Sequence, residues 1–310
     1  SAARSVLYRL NDGATYQEGC FPPCRCLIAD GDIRGTFVLT YVGTSGTTSN
    51  YRVADVNWWV TFGDRDIHIT GGGDYRRISG VAGFLHEFEL ELNVDGNPQR
   101  FRGGANDFDN NFPTIDGVTI SVNGLECYDI AIGIDASPVP VNEVQRYCLE
   151  RPSNYQEGCL PPCLCPILAS SPLTGRYGLV ELRNYGTWIE YAVVDMGLRV
   201  RSSDFDPPSS TFQGVGRYIW VSGFAGVIEQ MQLALSIDGG PPTAFDSGFN
   251  NDFDNEFPGR IDIRVARNGF FCYDIVLDIR SPRCRVISPL PAMSEEAGGR
   301  ATPEKAPIGG

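Results

Sequence analysis

A short segment rich in Asp and Asn is the first place in this chain where side-chain oxygens could do chemistry. The segment Asn-Asp-Phe-Asp-Asn-Asn-Phe-Pro at 106–113 recurs as Asn-Asp-Phe-Asp-Asn-Glu-Phe-Pro at 251–258. Alternating carboxylate and amide oxygens on a tight loop can converge on a hard cation such as calcium. If the protein has a cofactor, we therefore expect calcium. The predicted ligands are Asp107, Asp109, Asn110, Asp252, Asp254 and Asn255.

The same segment has a simpler interpretation as a turn. Asp and Asn side chains accept hydrogen bonds from their own backbone in tight turns, and the two phenylalanines would anchor such a loop. A complete EF-hand also needs a glycine and a distal glutamate, and neither is correctly placed here. Both interpretations stay open at the level of the sequence.

The ten cysteines follow a doubled pattern. Tyr-Gln-Glu-Gly-Cys-x-Pro-Pro-Cys-x-Cys occurs at 16–26 and at 155–165, and Cys-Tyr-Asp-Ile occurs at 127–130 and at 272–275. An even number of cysteines at paired spacings predicts five disulfides formed in an oxidising compartment. The cysteines are Cys20, Cys24, Cys26, Cys127, Cys148, Cys159, Cys163, Cys165, Cys272 and Cys284.

Zinc is the competing interpretation, because four thiolates in each repeat could close a tetrahedral site. The C-x3-C-x-C spacing lacks the usual C-x2-C knuckle, however, and a C-x-x-C redox motif is absent as well.

Cys148 and Cys284 flank the second repeat, so we predict that they form a bridge that closes it. Cys127 and Cys272 would each pair with one member of the nearby cluster. Four cysteines allow three connectivities, which leaves that member undetermined.

The remaining candidates for chemistry favour structural roles. The only two histidines, His68 and His86, lie in the first repeat, so a catalytic triad could exist in one copy at most. Glu87, Glu89 and Glu91 alternate along one strand face, and the second repeat has Gln230, Gln232 and Ala234 in their place. We therefore interpret the histidines as strand residues and the glutamates as a solvated strand face.

Two further features concern aromatic residues and glycines. Adjacent strand positions point to opposite faces, so we expect one of Trp58 and Trp59 in the core and the other available for sugar stacking, as Trp188 and Trp220 could also be. The run Gly71-Gly72-Gly73 has no following Lys-Ser/Thr and predicts only a loop.

The segments that position these residues are mostly β-strands. Apolar and polar residues alternate over 87–94 and 230–237, and each run ends at an Asp-Gly turn. Asn123-Gly124 and Asn268-Gly269 separate further alternating runs, which is the pattern of a β-hairpin. Other strands are predicted at 35–42, 51–60, 66–70, 75–79, 175–182, 191–201 and 217–222. The predicted fold class is all-β, with two tandem antiparallel β-sandwich domains of jelly-roll type, stapled by disulfides.

The repeat also sets the expected domains. The equivalent cysteines Cys20 and Cys159 are 139 residues apart, and a Pro-containing boundary lies at 137–141. We predict a first domain at 1–139, a second at 140–287, and a tail rich in Pro and Gly at 288–310.

Composition limits the partners. The net charge of −13 argues against nucleic acid and anionic membranes as partners, and no apolar run approaches the length of a membrane span.

We expect a secreted, extracellular or cell-surface protein that is not an enzyme. Its predicted role is structural or adhesive, as a self-assembling surface or filament subunit that binds copies of itself through the tail. The alternative is a calcium-dependent carbohydrate-binding module with glycan partners, and a hydrolase ranks third.

Overall fold

The protein is all-β and contains two antiparallel sheets, one from each repeat. The structure is a computed structural model, and it describes residues 5–63, 65–81, 83–163, 169–200, 210–223, 226–252 and 256–284. This confirms the predicted fold class. The first sheet comprises β1 (Ser5–Leu10), β2 (Thr15–Phe21), β3 (Ile28–Ser45), β4 (Thr48–Phe62), β5 (Arg65–Gly80), β6 (Gly83–Val94), β7 (Asn97–Asp107), β8 (Ile115–Ser121) and β9 (Cys127–Pro138). The second comprises β10 (Gln145–Cys148), β11 (Asn154–Cys159), β12 (Ala169–Asn184), β13 (Trp188–Val200), β14 (Thr211–Gly223), β15 (Gly226–Ile237), β16 (Pro242–Asp246), β17 (Asn250–Asp252), β18 (Arg260–Ala266) and β19 (Tyr273–Pro282).

Each sheet closes on itself. In the first, the strand order is β1-β3-β2-β9-β8-β7-β6-β5-β4, and β3 also pairs with β4. The second sheet repeats this order from β10 to β13, with β12 pairing β13 and with β17 attached to β15. Closure leaves each sheet with an inner face, and alternate residues of every strand fill it. Each repeat thereby has its own aromatic-rich core, centred on Phe37 and Trp58 in the first and on Tyr177 and Tyr218 in the second.

Several strands are longer than the sequence pattern predicts. The expected strands at 66–70 and 75–79 are one continuous strand, β5, and Gly71-Gly72-Gly73 lies in its middle rather than in a loop. Gly71 has a φ of +143°, and a Cβ there would lie 2.2 Å from the carbonyl oxygen of Glu91. The glycines therefore allow close approach of β5 to its neighbours, and the loop prediction for them was wrong.

The Cys-Tyr-Asp-Ile segments organise the β8–β9 and β18–β19 connections. The buried carboxylate of Asp129 accepts hydrogen bonds from the backbone amides of Asn123 (2.9 Å) and Leu125 (2.7 Å). Asp274 does the same in the second repeat, with Asn268 at 2.8 Å. In the first connection the positive φ angles fall on Gly124 and the following Leu125, and Asn123 has no positive φ. A buried aspartate thus shapes a hairpin that the sequence attributed to Asn-Gly alone.

Four disulfides are present among the described residues. Cys148 is bonded to Cys284, as predicted. Cys24 is bonded to Cys127 and Cys163 to Cys272, and these bonds select one connectivity from the three that the sequence allowed. Cys20 is bonded to Cys26. The equivalent Cys159 is also disulfide-bonded, and Cys165 lies outside the described residues. Because these cysteines form disulfides, they are not available as the thiolate ligands of a zinc site.

The first sheet ends at Pro138 and the second begins at Gln145, with a single 3-10 turn at Val141–Glu143 between them. The tail at 288–310 lies outside the described residues. Within the described ranges, no helix has the length and apolar character that crossing a membrane requires.

Candidate functional site at the junction of the two repeats

The two repeats meet through a buried charged cluster that the sequence did not reveal. Glu190 on β13 is fully buried and forms an ion pair with Arg34 on β3 of the other repeat. Arg217 on β14 lies 3.4 Å from Glu190 and 2.6 Å from Asp66 on β5. Arg34 also donates a 2.8 Å hydrogen bond to the hydroxyl of Thr61. We call Arg34, Asp66, Glu190 and Arg217 the junction cluster.

Hydrogen bonds compensate for the burial of these charges. Arg217 donates through Nε to Gln232 at 2.7 Å, and its guanidinium lies 3.9 Å from the ring centre of Trp59. Burial acts to raise the pKa of Asp66, but the guanidinium of Arg217 beside it holds the net value below the ordinary one. Buried charges are tolerated only with partners of this kind. The cluster therefore joins the two repeats through charged side chains that are paired and hydrogen-bonded.

Both tryptophans of the Trp58-Trp59 pair are buried, which corrects the expectation that one is exposed. Trp58 lies in the first core, and Trp59 faces the second repeat at 5 % exposure. Trp59 stacks on His68 with 3.9 Å between ring centres, and both rings contact the amide oxygen of Asn57. Asn57 in turn donates a 2.7 Å hydrogen bond to the carbonyl of Gly216 across the junction. The exposed face that a sugar would need is thus occupied by the other repeat.

The two histidines occupy strand positions with defined partners. Burial, assisted by Arg217, lowers the pKa of His68 to about 3, so its ring is neutral at physiological pH. His86 Nδ1 lies 3.0 Å from the hydroxyl of Tyr75, and its Nε2 lies 3.3 Å from the carboxylate of Asp107. Burial also lowers the pKa of His86. His86 connects the core of the first repeat to the Asp/Asn loop.

The first Asp/Asn loop has the geometry of a turn. The carboxylate of Asp107 accepts hydrogen bonds from the backbone amides of Asp109 (3.1 Å), Asn110 (2.8 Å) and Asn111 (3.0 Å). Asn110 accepts from Arg77, and Asp109 is exposed. Among the described residues no three His, Cys, Asp or Glu side chains come together as a metal site. In the second loop, Asp254, Asn255 and the side chain of Asp252 lie outside the described residues.

The glutamates of β6 lie on an outer face, as predicted. Glu87 pairs with Arg76 at 3.5 Å, and Glu89 pairs with Arg76 at 3.7 Å and with Arg102 at 3.1 Å. Glu91 forms no ion pair within the described part of the chain and lines a cleft of about 630 Å³ where the two repeats meet. We call this the junction cleft. The first repeat contributes Asp55, Glu91 and Gln99 to it, and the second contributes Gln213, Val215 and Ser236.

The walls of the junction cleft combine polar groups with apolar surface. Asp55 sits on a bulge of β4 at φ +51°, and the equivalent Asp195 occupies a bulge of β13 at the same φ. Partial burial, followed by the nearby Asp195 carboxylate, raises the pKa of Asp55. Polar and apolar side chains of both repeats thus line the cleft, and one of its carboxylates has a raised pKa.

Comparison with protein-family models, with curated proteins and with solved structures gives no match. The junction was missed because its members are scattered over 34–217 and do not recur between the repeats. One sequence signal could have found it. Trp59 and His68 lie on strands that are otherwise similar in the two repeats, but they do not recur. The residue of the second repeat that corresponds to Trp59 is Arg199.

Proposed function

We propose that the protein is a secreted, non-enzymatic structural or adhesive subunit that self-assembles into a surface layer or filament. The observation that carries this proposal is the junction cluster. A buried, hydrogen-bonded ion network joins the two repeats, and a fixed relation between its parts is the property that a repeating assembly needs in its subunit. The disulfides support an extracellular setting, because such bonds persist in oxidising compartments.

Exposed apolar side chains near the disulfides support association. Leu27, next to Cys26, is 91 % exposed, and Tyr128, next to Cys127, is 58 % exposed. In the second repeat Phe271 and Tyr273 flank Cys272 and are also exposed. Exposed apolar residues grouped on rigid, cross-linked segments are typical of surfaces that bind another protein. The two repeats would present similar surfaces to their neighbours.

The tail provides the test of this proposal. A chain extension can add to the groove or sheet edge of a neighbouring strand-rich subunit. We expect a chain that ends at Cys284 to stay monomeric under conditions in which the full chain assembles, as measured by light scattering. A chain with residues 288–310 in shuffled order is the matched control and should also fail. Normal assembly of the truncated chain would contradict the proposal.

A calcium-dependent carbohydrate-binding module is the second candidate, favoured by one observation. Phe108 is 70 % exposed on the same loop as the exposed Asp109, so an aromatic surface and a carboxylate lie side by side. A sugar could stack on the ring while calcium bridges its hydroxyls to the loop.

Calcium binding at these loops predicts a higher melting temperature. A ligand of the native state stabilises it by mass action, so millimolar calcium should raise the melting temperature and a chelator should reverse the effect. Asp109→Asn should reduce the rise, whereas Asp74→Asn, which lies on β5 away from the loop, should preserve it. An unchanged melting temperature at millimolar calcium would identify the segment as a plain turn.

A further inference from the structure

Each repeat holds one exposed tyrosine in a fixed position beside its disulfides. In the first repeat the hydroxyl of Tyr128 donates a 2.5 Å hydrogen bond to Glu18, and the core residue Tyr16 donates to the other oxygen of the same carboxylate at 3.1 Å. The second repeat has the same arrangement, with the hydroxyl of Tyr273 at 2.7 Å from Glu157. A tyrosine whose hydroxyl is held in this way presents a fixed ring, which has little conformational entropy to lose when another protein binds it.

The exposed side chains around these tyrosines form two surfaces. On the first repeat the Cys24–Cys127 bridge joins the β2–β3 loop to the start of β9. The exposed apolar residues there are Leu27, Ile28, Leu125 and Tyr128. On the second repeat, beside the Cys163–Cys272 bridge, the exposed aromatic residues are Phe271 and Tyr273. We call these groups the first and the second disulfide surface. Their cross-linked backbone and exposed rings are suited to binding another protein.

The two disulfide surfaces differ in charge. The first exposes Glu126, and the equivalent residue of the second is the aromatic Phe271. The second exposes Arg267 at a position where the first has valine. Hydrogen bonding to Glu157 raises the pKa of Tyr273, and the nearby guanidinium of Arg267 opposes that rise. Arg267 therefore lies close to the exposed tyrosine ring, within the second disulfide surface.

These exposed charges have room for a partner outside the chain. Neither Glu126 nor Arg267 forms an ion pair within the described residues. The carboxylate of Glu157 beside Arg267 is already held by two tyrosine hydroxyls. A second copy of the same surface would therefore offer Arg267 no available carboxylate, whereas the first disulfide surface offers Glu126. Arg25, exposed on the first disulfide surface, would meet the aromatic rings of the second.

We infer that the first disulfide surface of one copy of this chain binds the second disulfide surface of another copy. Glu126 pairs with Arg267 in this contact, and Arg25 lies against the ring of Phe271. A contact between unlike surfaces joins copies head to tail, which builds a ring or an open filament. The inference rests on the proposed self-assembly and gives it a contact that does not involve the tail.

Two charge reversals test this contact in the chain of 310 residues, with assembly measured by light scattering at low ionic strength. Arg267→Glu and Glu126→Arg should each raise the protein concentration needed for assembly by about tenfold or more, because like charges then face each other. An equimolar mixture of the two variants should assemble at the concentration of the parent protein. In the mixture each reversed surface meets a surface of opposite charge, and such a rescue excludes misfolding as the cause of the loss.

Matched variants show whether the position of each change matters. Phe271→Ser should also raise the concentration needed for assembly, whereas Phe249→Ser, at a phenylalanine that is 68 % exposed outside both surfaces, should leave it unchanged. Arg199→Glu makes the same charge change as Arg267→Glu at an exposed position of β13 and should assemble like the parent protein.

Assembly of both charge-reversal variants at the parent concentration would overturn the inference and leave the proposed self-assembly standing. Loss in Glu126→Arg without loss in Arg267→Glu would also overturn it, and would assign the contact to two copies of the first disulfide surface. Loss in both variants that mixing does not restore would overturn it as well. A parent chain that fails to assemble at every concentration would instead contradict the proposed function, and the inference with it.

Discussion

Replacing Arg217 with alanine should destabilise the protein by about 3–5 kcal/mol, because the change leaves the two carboxylates of the junction cluster, Glu190 and Asp66, with the guanidinium of Arg34 alone. Glu190 has no solvent-accessible side chain, so water cannot replace the lost guanidinium. Arg217 also contacts Asp66 and Trp59, and those contacts would be lost together. The quantity to measure is the free energy of unfolding from guanidinium titration.

The matched control is Arg102→Ala. Arg102 pairs with Glu89 on an outer strand face, where its side chain is 61 % exposed. Exposed ion pairs contribute about 0–1 kcal/mol, so this variant should unfold almost like the parent protein. Equal losses in the two variants would show that the junction cluster does not hold the repeats together.

The second large effect concerns the Cys148–Cys284 disulfide. Its sequence separation is 136 residues, the longest among the described bridges. In the chain-entropy model, replacing both cysteines with serine should cost about 4–5 kcal/mol, an upper figure because residual structure in the unfolded chain reduces it. Thermal unfolding of the double variant should report the loss.

The Cys20–Cys26 bridge provides the comparison, since its sequence separation is only 6. The same model gives about 2 kcal/mol for so short a loop. Replacing these two cysteines with serine should therefore lower the melting temperature less. A larger loss from the short bridge than from the long one would contradict the interpretation of Cys148–Cys284 as the bond that closes the second repeat.

Local patterns in the sequence predict much of this fold. Alternation of apolar and polar residues identified the strand of 87–94, and the flanking positions of Cys148 and Cys284 identified their bridge. These features depend on neighbours along the chain or on the internal repeat. Both features could be predicted because strand periodicity and position in the repeat follow directly from the order of residues along the chain.

The junction depends instead on contacts between distant residues. Trp59 is buried at the junction, where the guanidinium of Arg217 from the second repeat lies 3.9 Å from its ring centre. The glycine run that includes Gly71 predicts a loop from sequence alone, because the close approach of β6 that requires a glycine there is visible only in the structure. The choice of Cys24 over Cys20 as the partner of Cys127 likewise depends on the local path of the chain, which spacing does not specify.

Electron microscopy of the purified chain of 310 residues tests the central claim most directly. If the chain is a rigid structural subunit, images should show periodic filaments or sheets whose repeating unit has two lobes of similar size. Separate two-lobed particles that remain unassociated at every protein concentration, with the tail intact, would contradict the proposed self-assembly.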